Sequence, residues 1–371
     1  LAVGTHGRGF WILDDISALR QWSDKAATDE VTLFKPAVAT RVRYSMYTDT
    51  PVPPDEPWAE NPPDGAVIDY FLKNGTNGPV TLEIIGDKGR VIRSYSSTDK
   101  LDEPKDVGNW PWYWFRPPQP LSTRSGLNRF VWDLHFERPD GAGCSLPISA
   151  SPRNTKCEPE GPWVAPGEYT AKLTAGGKSY MQAFTVRMDP RVKTPVAALQ
   201  LQYALSLALY DAQNASLGTQ GQIADLRAQL RDRKSKVSGD AASAIDALDA
   251  QLNALAGPQG GGRGRGGFGG GVGTPPAESF GSVSGGLAGP FGVLQGADEV
   301  PTTQTVAAAK DRLAAYEALR AKWGALQKSE IPALNAKLKA AGATEVKVNS
   351  PTRPTRGAPA DGDDDEPAST E

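Results

Sequence analysis

A chain of 371 residues is long enough for two or three domains. Its formal net charge of −3 gives no general pull toward nucleic acid or acidic lipid, and no apolar run approaches the length of a membrane span. Apolar residues reach only 39% because 40 Gly and 31 Pro are crowded into particular stretches, and that crowding marks out the organisation.

The chain opens on Leu1-Ala2-Val3 with no initiator Met and no charged-then-apolar leader, and reads as a fragment of a longer protein. Residues 1–15, LAVGTHGRGFWILDD, read as two short strands around a turn in which Gly7 and Gly9 supply positive φ. An isolated hairpin of this size is marginal in water, so it needs a partner upstream of Leu1. A short polar-amphipathic piece (16–22) and an extended segment (31–44) follow, and 49–64 is Pro-rich and turn-like. From Gly65 the pattern is β. Val80, Leu82 and Ile84 alternate with Thr81 and Glu83, and Gly86-Asp87-Lys88-Gly89 forms a hairpin turn. The segments 127–136, 167–174 and 180–188 are further strands, with Gly176-Gly177 as another turn. Several short strands between Gly/Pro loops predict an antiparallel immunoglobulin-like β-sandwich over 31–190, with insertions at 97–126 and 138–166.

After Pro195 the composition turns to Ala, Leu, Gln, Asp and Arg. Ile223, Leu226 and Leu230, and then Ile245, Leu248, Leu252 and Leu255, follow helical 3,4 spacing within 196–234 and 239–256. Leucines alternate from Leu199 to Leu209 as in a strand, but plentiful Ala and Gln without β-branched residues favour helix. Residues 257–300, beginning PQGGGRGRGGFGGG, read as a flexible low-complexity linker. Helical pattern resumes from 301 to 345, with a kink or restart at Pro332. Three amphipathic segments predict an antiparallel α-helical bundle: a helical hairpin at 191–256 and a last helix at 301–345. The acidic tail, 346–371, is expected to be disordered.

Candidate chemistry is sparse. In FVWDLHFE, Asp133, His135 and Glu137 would share one face of a strand and could bind a metal, although the polar face of an amphipathic strand explains them as well. Trp110, Trp112, Tyr113 and Trp114, with Phe115, form an aromatic cluster that could hold a protein or carbohydrate ligand, or pin an insertion loop. His6, Arg8, Asp14 and Asp15 could line a rim pocket or simply form a polar turn. Cys144 and Cys157 are a disulfide candidate in an oxidising compartment, worth about 3 kcal/mol if formed. Arg263 and Arg265 in the Gly-rich tract have the composition of RNA-binding segments, but one short run in an acidic chain reads as linker, and no nucleic-acid partner is expected. No nucleophile elbow or triad is recognisable, so no catalytic residue is assigned and no cofactor is expected.

Five phrases together resemble the C-terminal region of bacterial sortilin-like, BNR/YVTN-repeat β-propeller proteins, often named glycosyl hydrolases. They are VGTHGRGFWILDDI (3–16), NPPDGAVIDYFL (61–72), RFVWDLHFE (129–137), GPWVAPGEYTAKLTAGGKSYMQAFTVRMDPRV (161–192) and PTTQTVAAAKDRLAAYEALRAKWGAL (301–326). The resemblance implies that residues 1–30 are a remnant of the last propeller blade. It also implies that the partner is the upstream propeller of the same polypeptide, and that the location is extracytoplasmic. The expected chain is then α+β and multidomain: blade remnant, antiparallel immunoglobulin-like sandwich, helical bundle. Its expected role is non-catalytic, as a structural and interaction module; the alternative is an accessory region of a sialidase-like glycoside hydrolase with its active site in the propeller.

Overall fold

The computed structural model describes residues 1–7, 9–43, 55, 62–100, 111–116, 119–142, 154–156, 158–257 and 278–350. The chain divides into two compact units, one comprising 1–138, 143–203 and 297–300, the other 139–142, 204–296 and 301–371.

The first unit opens with an antiparallel hairpin, β1 (Ala2–Thr5) and β2 (Gly9–Ile12), that pairs with no other strand among the described residues. Two short helices follow, α1 (Ser17–Arg20) and α2 (Asp24–Thr28); the Ser23 side chain caps α2 by accepting from the Ala26 N–H. A three-stranded antiparallel sheet places β5 (Ala66–Leu72) between β3 (Val31–Leu33) and β8 (Gly126–Trp132). A second sheet has the order β4 (Ala39–Arg41), β10 (Lys178–Met188), β9 (Gly167–Ala175), β6 (Thr81–Ile85), β7 (Val91–Ser96). Gly176 and Gly177, both at positive φ (57° and 75°), make the two-residue turn that joins β9 to β10.

Alternation works as physics requires within each strand. Leu82 and Ile84 of β6, Ala171 and Leu173 of β9, and Phe184 and Val186 of β10 are buried, while their neighbours are not. From β8, Trp132 packs against Tyr169 and Phe184, with ring centroids 5.7 and 6.2 Å away. β5 is different, because both of its faces are covered. Ile68, Tyr70 and Leu72 are buried on one face; on the other, Phe71 packs against Ala18, Ala26 and Phe34.

This is not the expected immunoglobulin-like sandwich. The five-stranded sheet curls into a half-barrel and the chain is mixed α/β. β4 runs parallel to β10, which an antiparallel Greek-key sheet does not contain. Periodicity in 31–44 identifies an extended segment but carries no information on which strand it joins or in which direction.

The second unit is helical: α3 (Val196–Lys234) from residue 204 onward, α4 (Asp240–Ala256), α5 (Phe280–Gly296), α6 (Thr303–Lys328) and α7 (Glu330–Ala340). Ile223, Leu226 and Leu230 of α3 and Ile245, Leu248 and Leu252 of α4 are buried. The expected antiparallel bundle is not formed. One reason is that 280–296, assigned to the linker, is a helix that packs on α6 and α4. Its Phe280, Val283, Leu287, Phe291 and Leu294 are buried at helical spacing, and that burial outweighs the poor propensity of its six Gly and of Pro290. Pro332 lies in the first turn of α7, where its missing N–H removes no helical bond. No described helix is long and apolar enough to cross a membrane.

Candidate functional site

The strand carrying Asp133 and His135 does not continue to Phe136. β8 ends at Trp132, and Leu134 adopts the left-handed region at φ 59°, uncommon for a residue with a branched side chain. Leu134 is buried, and the chain beyond it pairs with a second segment. Val164 N–H donates to Leu134 O (2.9 Å) and Phe136 N–H to Pro162 O (3.0 Å). The Trp132 indole N–H donates to His135 O at 3.0 Å, fixing the same turn from the core side.

The reversal breaks the one-face alternation expected for Asp133, His135 and Glu137. Asp133 and His135 converge with Glu160, and one ligand-type atom from each lies within 4.8 Å of the others. Glu137 does not join them; its carboxylate pairs with Arg93 at 3.2 Å. Glu160 is 25 positions beyond His135, so no motif spacing signals it, and only the pairing of 134–136 with 162–164 delivers it.

His135 is 2% exposed and stacks on Trp163 at a centroid distance of 3.8 Å. Its Nδ1 lies 2.7 Å from Asp133 O. A carbonyl only accepts, so Nδ1 carries the proton and Nε2 presents a lone pair. Nε2 faces Glu160 Oε2 at 3.6 Å. Burial pushes the imidazole pKa down, and the opposing pull of Glu160 and Asp133 does not reverse it. For Asp133, burial acts to raise the carboxyl pKa, but Arg93, His135, Lys156 and Arg116 together outweigh it and hold the carboxyl below its usual range. The Asp133 carboxylate also accepts from the His135 N–H at 3.3 Å.

Cations ring this centre. Lys156 Nζ is 3.1 Å from Glu160 Oε1 and 3.7 Å from Asp64, and Arg116 reaches Asp64 at 3.2 Å. The Trp163 ring has the Arg41 and Arg43 guanidinium carbons 5.7 and 5.2 Å from its centroid and the Lys156 ammonium at 5.9 Å, a cation–π arrangement. Arg41 and Arg43 in turn pair with the buried Asp298. Burial lowers the Arg41 pKa, against the attraction of Asp298.

The other sequence candidates do not assemble into a site among the described residues. Trp110, Cys144, Cys157, Arg8, Arg263 and Arg265 lie outside them. Trp112 begins a short 3-10 turn, and Tyr113 and Trp114 are only partly exposed, edge to face at 6.5 Å. Backbone bonds from Thr155 N–H to Trp114 O (3.1 Å) and from Arg116 N–H to Thr155 O (3.0 Å) pin this segment as a loop would be pinned. His6 is exposed, and Asp15 accepts from the Ser17 N–H at 2.7 Å, a local turn.

The hairpin is the exposed surface of chemical interest. All eight residues of β1 and β2 are exposed; Phe10 is 85%, Trp11 68% and Ile12 69% accessible. Cross-strand pairs set Val3 opposite Trp11 and Ala2 opposite Ile12, so successive apolar side chains point to opposite faces and both faces are apolar. Comparison of the chain with family models, with curated proteins and with solved structures found no match.

Proposed function

We propose that this chain is a non-catalytic structural and interaction module of an exported sortilin-like propeller protein, and that its hairpin completes a blade built by other strands of the same polypeptide. The observation that carries this reading is the apolar exposure of β1 and β2 on both faces. A two-stranded ribbon with open edges is marginal in water, and solvent-facing hairpins carry polar residues on at least one side. Apolar residues on both faces fit strands enclosed between neighbouring blades. The phrase VGTHGRGFWILDDI, which resembles the closing strands of such propellers, supports the same occupant.

Hydrogen exchange tests the reading. In the polypeptide isolated from its source, the amides of 2–5 and 9–12 should exchange slowly. In the 371-residue chain alone, the same amides should exchange within seconds, as in an isolated hairpin. Equally fast exchange in the native polypeptide would refute enclosure of the hairpin.

A further inference from the structure

We propose that Asp133, His135 and Glu160 bind one divalent first-row transition cation of the zinc class. Three observations converge on this assignment, and none depends on the hairpin.

The first is the donor set. An imidazole nitrogen and two carboxylate oxygens lie within 4.8 Å of one another. Metal–ligand bonds of about 2.1 Å place tetrahedral donors about 3.4 Å apart, so closure asks for a movement of roughly 1 Å. Glu160, 28% exposed and outside any regular element, is the arm free to make it. The second is the orientation of His135. Its Nδ1 donates to Asp133 O, which directs the Nε2 lone pair at Glu160. Nε2 faces another acceptor, Glu160 Oε2, 3.6 Å away. Two lone-pair atoms held facing each other inside a site only 2% exposed at the imidazole call for a positive centre between them. The third is the support behind the ligands. A backbone carbonyl on the far nitrogen is the usual device that fixes the tautomer of a metal-binding His, and here the Trp132 indole also holds the His135 carbonyl.

The imidazole selects the class of ion. Calcium and magnesium take all-oxygen sets, whereas one nitrogen with two carboxylates suits Zn, Co, Ni or Mn. The two carboxylates balance the double charge. Lys156 now caps Glu160 and is the competitor; on metal binding its ammonium turns to Asp64, 3.7 Å away. The ion would join the exit of β8 to the 158–163 segment and leave a coordination position for water.

The test uses the full chain, stripped with chelator and titrated with cobalt(II) and then zinc(II) alone. One equivalent of cobalt should bind, with ligand-field bands of a nitrogen/oxygen site and without a thiolate charge-transfer band, and zinc should displace it. Glu160→Gln should weaken binding at least about tenfold with unchanged circular dichroism. Glu137→Gln should leave affinity unaltered, because Glu137 serves Arg93 instead. Lys156→Met should strengthen binding by removing the competitor. His135→Gln is the direct variant, but it alters a buried side chain, so the decision rests on Glu160→Gln and Lys156→Met. Absence of stoichiometric binding at micromolar metal overturns the proposal. So does a thiolate band, which would assign the ion to Cys144 or Cys157, or an affinity that Glu160→Gln does not change.

Discussion

Arg129→Met should destabilise the first unit by an amount that can be worked out from one cross-strand pair. Asp69 and Arg129 are opposite each other in the β5–β8 ladder. The guanidinium grips the carboxylate with two bonds, Nε to Oδ1 at 2.8 Å and Nη2 to Oδ2 at 2.9 Å, and Nη2 also donates to Asp15 O at 2.8 Å. Asp69 is only 4% exposed, since β5 is covered on both faces. Removing the partner of a fully buried ion costs about 3–5 kcal/mol. Arg129 is 30% exposed, so water can recover part of the loss, and about 2 kcal/mol is expected. Hydrogen exchange of peptides spanning 66–72 and 126–132 reads this as roughly 30-fold faster opening. The double variant Asp69→Val/Arg129→Met should recover most of the loss, because no charge then remains buried. Acceleration below about twofold in the single variant, or a double variant no better than the single, would refute the claim that an unpaired Asp69 is the cost.

Two further outcomes follow from other buried groups. Burial raises the Tyr70 hydroxyl to about 12, against the bond it accepts from the Ser122 N–H. The folded value lies above the unfolded value of about 10, so its contribution is complete below about pH 10 and is lost as pH rises through about 12. Tyr70→Phe should flatten urea-midpoint loss across that alkaline window, and at neutral pH should cost about 1–2 kcal/mol because Ser122 N–H and O lose their shared partner; an unchanged alkaline slope would exclude Tyr70 as its source. Gly161→Ala would set a Cβ 2.2 Å from Glu137 O and 2.3 Å from Phe136 O, so backbone must move. A loss of roughly 3 kcal/mol in thermal unfolding is expected, with metal affinity falling alongside as Glu160 is displaced; wild-type melting would show that the two segments do not meet so closely.

Much of the local structure was legible because local physics decides it. The 3,4 spacing of Ile223, Leu226 and Leu230 marks α3, and Leu82 and Ile84 mark β6 and its buried face. The Gly-rich turns at 86–89 and 176–177 were legible for the same reason, since Gly89, Gly176 and Gly177 sit at positive φ, which Gly adopts freely. α5 was hidden because Gly and Pro dominate its composition, whereas its five buried apolar residues are what hold it as a helix.

Residue pattern marked most of the strands and helices, though not α5 or the end of β8, and showed which side of those elements is apolar and that Asp133 and His135 are neighbours worth attention. Strand partners belong to the tertiary structure alone. Alternation has no direction, so it could not show β4 parallel to β10 or distinguish a half-barrel from a sandwich. The candidate cation site was decided in the same way. Leu134 in the left-handed region ends the alternation and turns Glu137 to Arg93, and the pairing of 134–136 with 162–164 brings in Glu160 from a distant stretch of chain. Contacts between residues far apart in sequence form only when the core around Trp132 closes, and residue spacing carries no record of them.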